Sequence, residues 1–200
     1  MTRRLSCDDA GQAFPIYIMV VAGLLFLAFA YLAVGQAAAN RNGAQTAADA
    51  AALAAAQDRR DQLAGAWVEN LLDPTKWEAI FNGDGGALAS SCPRAGQLAT
   101  QNDAEVLACV PLGLLGYEVE VQTNKPVGDS IVPGTEGKYA KASATAVIES
   151  RCVFDLPVDD GGDGVLPQLT CDGRDWELDP EDPLELLPEP QELFDVHLAD

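Results

Sequence analysis

The chain has 200 residues, a formal net charge of −19 and a pI of about 4.1. With 12 basic residues against 31 acidic ones, it lacks the lysine and arginine footprint that a phosphate backbone requires, which excludes nucleic-acid binding. The length leaves room for one modest domain plus attachments, and the apolar residues are gathered into one continuous block and one alanine tract ahead of a polar, acidic remainder.

Residues 1–12 read as a short cytoplasmic N-terminus. From Ala13 to Gly35 no residue is charged, and Ile16 to Val34 is dense in Ile, Val, Leu, Phe and Ala. About 20 helical residues span a hydrocarbon core of roughly 30 Å, so 13–35 is expected to be a transmembrane helix. The run exceeds the roughly 7–15 apolar residues of a cleaved signal peptide. Leu5-Ser6-Cys7 precedes the apolar region, whereas a lipobox follows one. Arg3 and Arg4 place the N-terminus inside and the long acidic remainder outside, with Tyr17 and Tyr31 near the two interfaces.

Residues 36–72 carry the strongest helix signal. Ala47, Ala48, Ala50 to Ala52 and Ala54 to Ala56 surround Asp49 and Leu53, and alanine has the best helix propensity. No proline occurs between Ile16 and Asp73; Gly35, Gly43 and Gly65 are candidate bends, each weakening the helix by about 1 kcal/mol relative to alanine. Small side chains let another backbone approach closely, so Ala47, Ala48, Asp49, Ala51, Ala52 and Ala55 are candidate packing residues, against the chain's own domain or against a partner. Asp73-Pro74 stops the helix, and Asp73 is placed to cap a short second helix through Trp77, Ile80 and Phe81.

Residues 73–154 read as an extracytoplasmic α+β domain. After a Gly/Ser-rich loop from Asn82 to Ser91, Tyr117, Val119 and Val121 alternate with Glu118, Glu120 and Gln122, the period of a half-buried strand. Lys138 to Phe154 alternates too, with Ala140, Ala142, Ala144, Ala146 and Ile148 on one face, which suits an alanine-rich helix lying close on it. Ala104 to Val110 is a weaker third strand. Cys92, Cys109, Cys152 and Cys171 fall outside the membrane and Cys7 inside, as an oxidising exterior favours. Four cysteines allow three connectivities; Cys92–Cys109 with Cys152–Cys171 is favoured because each closes a local loop, worth on the order of 3 kcal/mol. Zinc is the alternative, but no CxxC spacing is present and the single histidine, His197, is distant.

From 155 to 200 Asp, Glu, Pro and Gly dominate, a composition that favours disorder. A disulfide-sized loop surrounds Cys171, and Gln191 to Leu198 is a candidate docking segment, as a short strand or helix. Asp159-Asp160-Gly161-Gly162-Asp163-Gly164 resembles a calcium loop only loosely. The expected fold class is therefore α+β: a long N-terminal helix packed on a small antiparallel sheet, with an acidic, mostly disordered C-terminal tail. No nucleophile elbow, phosphate loop, HExxH or dinucleotide fingerprint is present. No catalytic residue, metal ligand or cofactor is expected.

Asp9-Ala10-Gly11-Gln12-Ala13-Phe14-Pro15, the apolar span, and Gln45 to Ala56 together resemble the N-terminal region of TadE/TadG-like proteins of bacterial tight-adherence (Flp) pilus assembly. The resemblance covers roughly the first third of the chain. It implies a non-catalytic pilus-assembly or minor pilin-like component acting through helix packing and extracytoplasmic contacts, with partners in a pilus or secretion apparatus and possible self-association. A membrane-tethered ligand-binding or sensory module is the alternative. Prepilin processing in such systems cleaves after a glycine, with a glutamate and an aromatic at the fifth and sixth positions beyond. After Gly11 those positions are Ile16 and Tyr17, so the glutamate is missing. The chain is expected to remain uncleaved, and N-terminal sequencing of the membrane-extracted protein tests this; a mature end at Gln12 refutes it.

Overall fold

A computed structural model describes residues 13–126, 137–155, 166–179 and 186–199. Arg3, Arg4, Cys7, the Gly11 junction, Leu184 and the Asp159–Gly164 segment lie outside these residues. One helix, α1 (Ala13–Glu69), runs unbroken for 57 residues, which at 1.5 Å per residue is about 86 Å. Its continuity follows from alanine content and from Pro15 sitting in the first turn, where a missing N–H costs nothing. Gly23, Gly35, Gly43 and Gly65 all lie within it without interrupting it.

The helix has two environments. From Phe14 to Gly43 it is almost wholly exposed, with Met19 77% and Tyr31 82% accessible. Its apolar part is long enough and apolar enough to cross a membrane. From Ala44 onward it enters the folded part: Ala44, Ala47, Ala48, Ala51, Ala52, Ala55 and Ala56 are fully buried, followed by Leu63 and Trp67. It ends at Glu69, slightly before the expected Asp73-Pro74 stop, and Asn70 turns its side-chain amide back onto the Ala66 carbonyl. A 3₁₀ turn (Pro74–Lys76) and α2 (Trp77–Phe81) follow. Asp73 makes no side-chain cap. Its carboxylate instead accepts the Thr75 hydroxyl and pairs with Lys76 at 3.2 Å, and these contacts, the Thr75 bond foremost, hold its pKa below the ordinary value.

Four antiparallel strands, β1 (Ala104–Pro111), β2 (Gly116–Pro126), β3 (Tyr139–Ser150) and β7 (Phe194–Leu198), form a sheet in that order. Helix α1 lies on one face of this sheet, against β2, β3 and β7. Tyr117, Val119 and Val121 point into the interface and are buried, while Glu118 faces out. Ala142, Ala144, Ala146 and Ile148 on β3 are buried or half-buried. Alanine therefore meets alanine across the interface, and short side chains on both layers bring the helix axis close to the sheet. A bulge at Leu107 interrupts the β1–β2 register and turns that side chain outward.

Two elements go beyond the expected pattern. Helix α3 (Cys92–Gln101) packs against α1 and β1. It presents Ala95 and Ala99, with half-buried Cys92 one turn before, to the core, small residues among Pro93 and Gly96 that give it a loop-like composition. At the C-terminal end, α4 (Pro190–Leu193) and β7 bury Leu193 and Phe194 completely. The Gln191–Leu198 segment thus docks on its own domain, and among the described residues the tail is structured at both of its segments. The other is a small second sheet, β4 (Cys152–Phe154), β5 (Leu169–Cys171) and β6 (Arg174–Trp176).

The space available to the alanine face predicts the response to added volume. Ala51→Leu and Ala55→Leu are each expected to destabilise the protein by about 1–3 kcal/mol through overpacking. Gln57→Leu, on the exposed side of the same helix, is expected to stay within about 0.5 kcal/mol. Denaturant unfolding of the solubilised protein checks the contrast; equal effects at all three sites refute the close contact.

Candidate interaction site

Helix α1 passes through the centre of the folded part, and its residues define what remains available to a partner. Ala47, Ala48, Ala51, Ala52 and Ala55 are covered by the chain's own sheet and by α3, whereas Asp49 is half-buried at the margin. Gln45 donates to the Asp49 carboxylate at 2.8 Å and reaches the Ser143 carbonyl at 3.4 Å, which ties the entry of the helix to β3. Further along, Arg59 donates to the Tyr117 hydroxyl through Nε and Nη2 at 3.2 and 3.1 Å. Gln62 bonds Ser91 Oγ at 3.2 Å, and Ser91 is wholly buried at the start of α3. The alanine tract is therefore occupied within the chain. The uncovered part of α1 is the projecting apolar half.

The far end of α1 is held by rings. Trp67 stands 5.5 Å from Trp77, Trp77 5.4 Å from Phe154, Phe154 5.8 Å from Phe81, and Phe81 5.4 Å from Phe194, centroid to centroid. These tilted and edge-on contacts join α1, α2, the small sheet and β7 in one cluster. Trp77 also donates its indole N–H to the Asn70 carbonyl at 3.0 Å. Gly83 permits the chain after α2 to approach the β1–β2 turn. Its φ is +92°, and a Cβ there would stand 2.7 Å from Leu114 Cβ.

Two disulfides brace the domain, Cys92–Cys109 between α3 and β1, and the buried Cys152–Cys171 across β4 and β5. The second lies beneath the C-terminal segment, with Cys152 Sγ 3.6 Å from the Glu192 carbonyl oxygen. Around it the Arg151 amide donates to the Leu193 carbonyl at 2.9 Å, Arg151 Nη1 donates to Gln191 at 3.1 Å, and Arg174 pairs with Glu192 at 3.1 Å. Arg174 also stacks over Trp176 at 4.1 Å. Residue spacing alone did not single out Arg59, Arg151 or Arg174, because their partners are remote in sequence.

The outer face of the main sheet carries a shallow trough lined by Val110, Glu118, Glu120, Lys141 and Ser143. Among the described residues no group of three or more His, Cys, Asp and Glu side chains is placed to hold a metal ion. His197 lies on β7 with Nδ1 3.1 Å from Asp195 Oδ2.

Residues 11–58 match the Tad family model, described as Flp pilus-assembly TadE/G-like. The matched segment runs along α1 into the folded part and includes Gln45 to Ala56. No curated protein and no solved structure matches the chain.

The ring cluster and the second disulfide give separable effects. Trp67→Ala is expected to cost about 3–5 kcal/mol, read by thermal or denaturant unfolding. Replacing Cys152 and Cys171 by serine is expected to cost on the order of 3 kcal/mol and to speed hydrogen exchange at the β7 amides of Asp195 and His197, which face β3. Unchanged β7 protection in the serine variant refutes the bridge's role in holding the C-terminal segment.

Proposed function

We propose that the protein is a membrane-anchored, non-enzymatic component of a Tad/Flp pilus-assembly apparatus, minor pilin-like in build. The observation that carries this reading is the division of α1: one half lies buried as the spine of a folded domain, and the other projects as a bare apolar helix. The family match on 11–58 covers both the projecting part and the entry into the domain. In this reading residues 1–12 are cytoplasmic and 13–35 span the membrane. Residues 36–72 form the stem, and 73–154 with 155–200 lie on the extracytoplasmic side, where disulfides persist. The projecting helix packs in the membrane against other helices of the apparatus or against a second copy of itself. The outward surfaces of the domain make the extracytoplasmic contacts.

Topology is tested first. In spheroplasts, a membrane-impermeant maleimide is expected to label Cys7 only after the membrane is breached, since the other four cysteines are bridged. Labelling of intact spheroplasts inverts the orientation. The assembly role is tested by crosslinking and pull-down from native membranes together with deletion. Capture of a pilus secretion ATPase and its inner-membrane platform, with loss of pili on deletion, is the expected result; normal pili and no such partners sink the proposal.

A further inference from the structure

We infer that the membrane-proximal base of the folded domain is a lipid-headgroup contact, in which Arg41, Lys125, Lys138 and Tyr139 seat the domain on anionic phospholipid phosphates. This rests on the reading that residues 13–35 cross a membrane. Height along α1 is the primary argument. Asn40 Nδ2 donates to the Lys125 carbonyl at 3.4 Å, so the end of β2 lies level with helix residue 40. Tyr139 opens β3 opposite Pro126, one residue beyond Lys125. From Val34, the last residue of the dense apolar run, to Asn40 is a rise of about 9 Å. Each headgroup layer occupies roughly 5–8 Å beyond the hydrocarbon. Arg and Lys stems bridge the remaining gap while keeping their charged heads in the polar layer, and a helix tilt of about 20° lowers one side of the domain further.

Charge and side-chain type argue the same way. Arg41, Lys125 and Lys138 are exposed, and Tyr139 is 47% accessible. Tyrosine favours the interface, with an apolar ring and a polar tip. The chain as a whole carries −19, so an anionic surface repels most of it, and Arg41, Lys125 and Lys138 are the groups at this end that can answer a phosphate. Among the described residues the acidic groups nearby are Asp103, 3.2 Å from Lys125 Nζ, and Glu105, which accepts from Gln122; in the sequence Asp129 and Glu136 also lie between Lys125 and Lys138. Asp103 takes up part of the Lys125 charge, while Arg41 and Lys138 form no ion pair among the described residues. The partner with this chemistry at this height is the phosphate layer of the leaflet that the domain faces.

The test uses the full chain with Tyr139→Trp in nanodiscs containing a nitroxide-headgroup lipid. The native Trp67, Trp77 and Trp176 are an internal control, since Asn40 to Trp67 is a rise of about 40 Å along the helix and Trp176 joins the same far end through Leu169, which pairs with both Phe154 and Trp176; their unchanged emission reports an intact fold. Quenching of the added emission severalfold above that of the native tryptophans is expected. It should be stronger in phosphatidylglycerol than in phosphatidylcholine and reduced when Arg41, Lys125 and Lys138 are all changed to Glu. An unquenched Trp at 139 overturns the contact, and quenching indifferent to lipid charge and to the triple change overturns the phosphate recognition. Failure of the protein to co-float with vesicles overturns the membrane reading itself, a result distinct from both.

Discussion

A single unbroken helix that must satisfy two environments is the constraint on which the rest of the structure depends. An α-helix meets its own backbone hydrogen bonds, so one helix can carry both a bare apolar stretch, long enough to cross a membrane, and a stretch buried in protein without leaving polar groups stranded. What changes along α1 is side-chain size. Large apolar residues cover Phe14 to Val34, where the helix is bare, and alanines cover the stretch from Ala44 to Ala56, where it is enclosed. The sheet answers with alanines on β3, and the close approach of the two layers depends on neither side carrying bulk.

Alanine packing has a consequence for stability. Each methyl buries little area, so the helix–sheet interface contributes fit and dispersion contacts more than a large transfer free energy. The larger apolar groups are gathered at the far end of α1, where Trp67, Trp77, Phe81, Phe154 and Phe194 meet. A small domain with a modest core benefits from covalent bracing. The disulfides stand where secondary structure is least self-sufficient: a ten-residue helix with two inward alanines and a sheet of three-residue strands. The second bridge also supports the segment that supplies Leu193, Phe194 and β7.

The family match falls on the most local part of this arrangement. From Ala13 onward the matched residues are the part of α1 whose requirements are generic: an apolar span, then small residues for close packing. The remainder builds its particular surface from contacts that close over long sequence distances. Those include Arg59 with Tyr117 and Arg151 with Gln191.

Where period or propensity is local, the sequence by itself determined the outcome. The long helix follows from uncharged and alanine-rich runs without proline, and β2 and β3 from strict alternation at Tyr117–Val121 and Ala140–Ile148. Tertiary structure alone decided the rest. Ala95 and Ala99 make α3 a core helix only because α1 offers them alanines to touch. Leu193 and Phe194 look like scattered apolar residues in an acidic tail until β3 presents an open edge and the ring cluster a vacant side. The alanine tract could have served a partner or the chain's own sheet, since close packing needs only small residues and says nothing of what lies opposite. The physical reason is common to all three: an apolar side chain gains free energy from the surface that covers it, and that surface is supplied by residues far away in the chain.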